Sequence, residues 1–497
     1  MKRYWHWVLL GMILILSLLL GACPGTPEPA PVPSPAPALS PVPAPPPAPA
    51  PPPVPVPATP PPVPLPVPPP AAPPPAPPPP PTIIAEEFYQ TLECHFGFMP
   101  AMWDFEQARE AGGAYDRPFF ELFQWGMIEK QPGLFDYHET DKSVQRAQAH
   151  GFHILANIQP FAHWDQVKCH QDLPPAGKFG DPGFHPTKGK PCDMDGYRNF
   201  VTRLVERYDG DGVDDMPGLT VPIKHWEVLN EPEFNTGDLI FFQGTSADYF
   251  EILKVTCQAV KEADPEAVVV QGGMAGMMEV CTNFWQGVFD LGGADYFDIA
   301  NMHSIGHGEH LNIPSFKEFL AKNGIDKPIW VTEVQYQQAH QTQDYSNEDF
   351  AKILARSYIF ALANGVDKLF YVNLRMPPVR HGVPFDERSA LIKDNGDKSI
   401  LFQAHLTVAN MLGELSEGDE VEIIREKIGG WSIEEGQYRF DIGGKTIYAL
   451  WGSGPLPPAI CGTARLIVTE ISGEQREADP AALKLTDSPI FVEKQGG

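Results

Sequence analysis

Two glutamates stand where a chain could do chemistry. In His225-Trp226-Glu227-Val228-Leu229-Asn230-Glu231-Pro232 an apolar strand runs into Asn-Glu-Pro, so Asn230 and Glu231 fall at its end. A second apolar run, Ile329-Trp330-Val331-Thr332, ends on Glu333. Two carboxyls that flank one bond are what cleavage of a glycosidic linkage needs. One protonates the leaving oxygen, and the other attacks the sugar carbon or activates water. Solvated strand ends with no catalytic task are the alternative for both glutamates.

Strands and helices alternate around these motifs. Strands are expected near Cys94–Phe98, Gly113–Phe119, His153–Ile158, Ile223–Leu229, Ala267–Gly272, Tyr296–Asn301, Pro328–Thr332 and Lys368–Asn373. Helical patterns cover Met102–Ala111, Glu139–His150, Gly196–Tyr208, Ala247–Ala263, Asn347–Ala363 and Ile400–Leu412. Eight βα repeats predict an α/β fold, a (β/α)8 TIM barrel over residues 83–415, with a doubly wound sheet as the rival. Catalytic groups of such a barrel sit at the C-terminal ends of its strands, where both glutamates fall. From residue 416 to 497 short β-rich runs such as Tyr438–Ile442, Thr446–Trp451 and Ala464–Glu470 predict a small antiparallel module.

With Asn-Glu-Pro after strand four and Glu after strand seven, residues 90–415 resemble the clan A glycoside hydrolases, the barrel families that include β-xylosidases, β-galactosidases and endoglucanases. Trp125-x-x-Ile128-Glu129-x-x-Pro132-Gly133-x-Phe135-Asp136 adds to the resemblance, which implies a retaining enzyme with Glu231 as acid/base and Glu333 as nucleophile. It also implies that Asn230 binds a sugar hydroxyl and that Arg117 and His303 serve the site; each could instead be a structural rim group. Two features depart from the clan pattern. Ile305 stands where many members have Tyr, and Phe370–Arg375 lacks the strand-eight Trp, leaving Tyr371 or Asn373 as candidates there. The exact family and substrate are therefore open. A non-catalytic carbohydrate-binding surface lipoprotein and a transglycosidase are the competing readings.

Sugar sites use flat apolar rings with a few polar groups. His163 and Trp164, after strand three, are candidates for a subsite, and Trp125, Tyr336 and His307 are further ones, with core packing as the alternative. No cofactor is required. Asp209, Asp211, Asp214 and Asp215, alternating with Gly210 and Gly212, resemble the calcium loops of thrombospondin type 3 repeats and dockerins. An Asx-rich turn without an ion is the other reading.

The rest of the chain concerns delivery. Lys2 and Arg3 precede the apolar run Val8–Leu20, which is too short for a comfortable membrane span and ends in Leu20-Gly21-Ala22-Cys23. This resembles a bacterial lipoprotein signal (residues 1–23), implying that Cys23 carries the lipid. Export to the cell surface, with a membrane anchor through that lipid alone, is expected. Residues 24–82 are mostly Pro and suit an extended spacer of roughly 180 Å at ~3.1 Å per residue. The formal charge of −27 argues against nucleic acid and suits a neutral or cationic substrate without naming one; the oligo- or polysaccharide partner is what the resemblance implies. Of the six cysteines beyond Cys23, Cys169 and Cys192 are the best candidate disulfide, and several free thiols are the alternative.

Overall fold

The computed structural model describes residues 94–174, 176, 187–235, 240–306, 308–336, 344–372, 374–375, 379–380, 383–384 and 387–495. The signal segment, Cys23, the Pro-rich spacer, His307 and Asn373 lie outside the described residues.

Eight parallel strands form one sheet: β1 (Phe96–Met99), β2 (Tyr115–Asp116), β3 (His153–Ile158), β4 (His225–Val228), β5 (Val268–Val270), β6 (Ala300–Ile305), β7 (Ile329–Gln335) and β8 (Val366–Val372). They pair in the order β5-β4-β3-β2-β1-β8-β7-β6. The two ends meet through the parallel bridges Val270↔Ile299 and Met274↔Met302, which close the barrel. The helices α1 (Phe105–Glu110), α2 (His138–Ala149), α3 (Met194–Glu206), α4 (Ser246–Ala263), α5 (Glu279–Asp290), α6 (Ile313–Lys322), α7 (Asn347–Ala363) and α8 (Ile400–Leu412) follow the strands in turn. The helices arise from local sequence. Thr245 with Asp248, and Ser346 with Asp349, form capping boxes that start α4 and α7. On α3, Tyr197, Phe200, Val201, Leu204 and Val205 repeat at helical spacing and make its buried face.

Period-two alternation along the strands fills the barrel in layers. The lower layer is an aromatic plug of Tyr115, His225, Trp330 and Phe370, with the Lys368 ammonium over the Tyr115 and Trp330 rings. Two residues further along their strands, Arg117, Glu227 and Thr332 belong to a polar layer with Asn157 and Asn301. An apolar floor therefore supports a buried polar stage at the C-terminal mouth.

Several expected boundaries need correction. Strand two is only two residues long. Strand six starts at Ala300, because Gly293–Tyr296 forms a 3-10 turn, so His303 is within that strand and not after it. Strand seven runs on to Gln335, so Glu333 is also inside a strand. Helices α5 and α6 were not expected: their apolar residues sit next to the Gly-rich segment at 272–276 and to Pro314, which obscure the period in sequence.

Six antiparallel strands make the C-terminal module: β9 (Glu420–Gly429), β10 (Ser432–Ile442), β11 (Lys445–Trp451), β12 (Leu466–Glu470), β13 (Gln475–Ala478) and β14 (Ile490–Lys494), ordered β9-β10-β11-β14-β12-β13. One face, with Ile433, Tyr438, Phe440 and Trp451, joins the same continuous core as α7, so barrel and module form one compact unit.

Candidate active site

Arg117, fully buried, organises the mouth of the barrel. All five of its donors are used. Nε and Nη2 reach the two oxygens of Glu227 at 2.6 and 3.0 Å, Nη2 also reaches Asn230 Oδ1 at 2.7 Å, and Nη1 reaches Glu333 Oε1 at 2.8 Å and Met99 Sδ at 2.7 Å. One guanidinium thus fixes the carboxylate under the site, the candidate nucleophile and the candidate sugar-binding amide.

Strand seven delivers Glu333 by a bulge. The β6–β7 register slips between Met302 and His303, so that His303 stands opposite Glu333. In a regular strand neighbouring side chains point to opposite faces. The slip lets both Thr332 and Glu333 engage the barrel interior. Strand four delivers Glu231 by a turn. Leu229 (φ 64°) and Glu231 (φ 39°) both adopt left-handed backbone, a cost of about 1–3 kcal/mol each that a non-glycine residue bears only where its surroundings impose it. The bridge Asn230↔Gly273 and the contact from Tyr249 Oη to the Val228 carbonyl (3.1 Å) hold that turn.

Glu231, His303 and Glu333 are all buried and meet there, with one oxygen or nitrogen of each lying within 4.8 Å of the others. His303 Nδ1 is 2.7 Å from Glu231 Oε1, and Nε2 is 3.0 Å from Thr332 Oγ1. Burial and the charge of Arg117 hold the imidazole well below its ordinary pKa, so it is neutral. Its tautomer follows from its partners. Asn301 Nδ2 donates to Glu227 and to the Gln271 carbonyl, which fixes Asn301 Oδ1 as acceptor of the Thr332 hydroxyl at 2.9 Å. Thr332 therefore accepts from His303 Nε2–H, and Nδ1 is left as an acceptor for a proton on Glu231.

The charges point the same way. Arg117 balances one of its two carboxylate partners, so a third negative charge in this dry layer would be unopposed. Burial, then Glu333 and Glu233, hold the Glu231 pKa well above the ordinary carboxylate range. Burial also raises Glu333, to about 7, against the opposing pull of Arg117. Among the buried polar atoms of the described residues that lack a partner are Glu231 Oε2 and Asn230 Nδ2, at the mouth.

Sequence reasoning assigned no role to several residues that matter. Glu227, quoted within the Asn-Glu-Pro strand, accepts from Arg117, Asn157 (2.8 Å) and Asn301 (2.8 Å) and is the hub of the polar layer. Glu233 is buried beside α5, accepts from the Ala275 amide at 2.6 Å and Trp285 Nε1 at 3.2 Å, and burial pushes it up to about 7. Gly273 has no side chain because a Cβ there would lie 1.9 Å from His303 Nε2. Gly273→Ala is expected to displace the imidazole and lower kcat by about 100-fold, the scale for misplacing a catalytic group by an ångström. Turnover of the purified variant checks this, and activity within twofold of wild type would rule it out.

The remaining candidates fall elsewhere. Trp125 is core: its Nε1 donates to Glu129 Oε2 at 2.6 Å while Glu129 Oε1 accepts from Gly133 at 2.6 Å, so the Trp-x-x-Ile-Glu-x-x-Pro-Gly motif is a self-locking turn. Tyr371 is also core, its hydroxyl donating to the Ser389 carbonyl, and Tyr336 is buried. His163 and Trp164 open the short helix His163–Cys169 after strand three. His163 is exposed; Trp164 is half-buried, donates to the Glu129 carbonyl, meets Trp125 edge-on and lies under the Lys168 ammonium. The end of that helix is tied by the disulfide Cys169–Cys192, while Cys94, Cys257, Cys281 and Cys461 are free thiols. In the acidic loop, Asp209 and Asp211 gather with Glu206, within 4.8 Å of one another. Asp215 accepts instead from the amides of Gly210 and Gly212 and ties the turn, and Asp214 adopts left-handed backbone.

The fold is that of solved glycoside hydrolases. A family 39 glycoside hydrolase from the gut symbiont Bacteroides cellulosilyticus WH2 superposes with a TM-score of 0.56 at 16% identity, over 81% of this chain and 80% of that one. A glucosidase from Croceicoccus marinus gives 0.53 at 15% identity, over 82% and 96%. A monomeric β-xylosidase from Caulobacter crescentus CB15 gives 0.52 at 14% identity, over 81% and 97%. No protein-family model and no curated protein matches the sequence. At these identities the likeness speaks for the architecture, and the chemistry rests on the residues at the mouth.

Proposed function

We propose that the protein is a retaining glycoside hydrolase that cleaves β-linked oligo- or polysaccharide by double displacement. One observation carries this: a buried pair of carboxyls, Glu231 and Glu333, with one oxygen of each within 4.8 Å of the other, and with Glu231 Oε2 and Asn230 Nδ2 unpartnered. Retaining glycosidases space their carboxyls by about 5–5.5 Å, whereas inverting ones leave roughly 6.5–9.5 Å for a water. In this reading Glu333 attacks the anomeric carbon while the acid form of Glu231 protonates the departing oxygen, leaving a covalent glycosyl-enzyme. Ionised Glu231 then takes a proton from water, which displaces Glu333 from the sugar. Asn230 Nδ2 is free to bind a sugar hydroxyl, Arg117 aims Glu333 and favours its anion against the effect of burial, and no cofactor enters any step. The lipoprotein-like N-terminus and the Pro-rich spacer support a surface-tethered enzyme that reaches outward.

Turnover of aryl β-glycosides and dyed polysaccharides by the purified protein tests the reading, with proton NMR of the first-formed product reporting its anomeric configuration. Inversion would replace double displacement by a single step, and silence on every substrate would remove the hydrolase reading. The activity should follow a bell against pH. The pair titrates in two steps. Activity requires ionised Glu333, so it is lost as pH falls through about 7; it requires protonated Glu231, so it is lost again as pH rises through that group's higher pKa. An acid limb near the ordinary carboxylate pKa would contradict the assignment.

A further inference from the structure

Past Ile305 the loop that leaves strand six meets the C-terminal module. At its tip the module reaches across to the catalytic face through the hairpin between β9 and β10, whose turn holds Gly430 and Trp431. The backbone on both sides of Trp431 is pinned. The Glu309 amide donates to the Trp431 carbonyl at 2.7 Å. The buried Glu309 carboxylate accepts from the Ile433 amide (2.8 Å) and the Ser432 hydroxyl (3.2 Å), and its other oxygen is paired with Arg356 of α7 at 2.6 Å. The Trp431 backbone also lies so close to Gly308 that a Cβ on that glycine would meet it at 2.5 Å.

Against this immobilised backbone, the Trp431 side chain is 65% exposed, and its ring is nearly parallel to the His310 ring (11°, centroids 6.2 Å apart). A lone exposed apolar residue is ordinary. This one differs in two ways. Among the described residues the other strongly exposed large apolar side chains are aliphatic. The ring partner of Trp431, His310, also lies only seven residues past His303, and so at most roughly 25 Å along the chain from that residue of the site. Two of the charges nearest the ring are paired, Lys427 with Glu434 and Glu309 with Arg356, which suits an uncharged ligand. A rigid flat ring on the mouth side of the barrel suits the apolar face of a pyranose.

We propose that Trp431 is a sugar-stacking platform, a distal subsite that the C-terminal module contributes to the barrel and that binds a polysaccharide extending from the catalytic pair. It rests on the hydrolase reading for its ligand but is tested apart from it. The full chain carrying Glu333→Ala, unable to degrade its ligand, is run in gels containing soluble xylan, β-glucan, mannan or galactan, beside the same chain with Trp431→Ala or Trp431→Phe added. At least one polymer should retard the first protein, with affinity falling roughly three- to tenfold for Trp431→Ala and largely kept by Trp431→Phe. In the active chain, Trp431→Ala should raise KM for that polymer by the same factor while kcat and aryl-glycoside turnover stay unchanged. Equal retardation of all three proteins, no retardation by any polymer, or an equal loss on aryl glycosides would overturn the platform. Absence of turnover in the otherwise unmodified chain would instead count against the hydrolase reading and leave the retardation result standing.

Discussion

Glu333→Ala is expected to lower kcat by at least about 10,000-fold, some ~5.4 kcal/mol of transition-state stabilisation, without unfolding the protein. The size follows from the role. Without the carboxylate no glycosyl-enzyme can form, and the remaining groups retain only proton donation and binding. The fold should survive because Arg117 keeps its two-point contact with Glu227 and its bond to Asn230, so no cation is stranded in the core. Far-ultraviolet dichroism and the melting temperature check folding, and a stopped assay with an activated aryl glycoside checks the rate. The cavity left by the side chain should admit azide and give a glycosyl azide of inverted configuration. Near-wild-type turnover by a folded variant would end the assignment of Glu333, whatever became of Glu231.

The barrel was legible in the sequence because its strands are apolar runs between amphipathic helices, and each helix buries one stripe. The two glutamates were legible because strand ends in such a barrel are where chemistry is placed, and both follow apolar runs. What sequence could not give was register. His303 and Glu333 were read as following their strands, whereas both lie inside them, and the bulge that turns Thr332 and Glu333 to the same side of β7 leaves no mark in residue types. Trp125 looked like a sugar platform because an aromatic ring reads the same in a core and at a rim; its partner Glu129 betrays it only in three dimensions. Trp431 went unread for the converse reason, since its exposure depends on a hairpin held by Glu309, far away in sequence. Glu227 carries no mark of its role in the motif, because a buried carboxylate between two apolar strand residues acquires meaning only from the donors around it.

Those donors make Glu227→Ala the second large effect. Arg117 Nε and Nη2, Asn157 Nδ2 and Asn301 Nδ2 all point at this carboxylate, with the Thr332 hydroxyl 3.5 Å away. Removing it leaves Arg117 Nε without an acceptor, takes one acceptor each from Arg117 Nη2, Asn157 Nδ2 and Asn301 Nδ2, and breaks a buried ion pair, a loss of about 3–5 kcal/mol that should lower the melting temperature by several degrees. Glu227→Gln should be little better, since the amide nitrogen would face donors where the carboxylate offers only acceptors. The freed guanidinium would turn toward Glu333, its remaining carboxylate. The nucleophile would be displaced, with kcat falling by at least about 100-fold. The Glu227 charge also raises the Glu333 pKa, so its removal lowers that pKa from about 7. Glu333 acts as the anion, and activity is lost as pH falls through its pKa. The acid limb of the residual activity should therefore move to lower pH, a displacement that mere loosening of the fold would not produce. A variant that melts with the wild type and keeps its acid limb in place would show that Arg117 aims Glu333 without help from below.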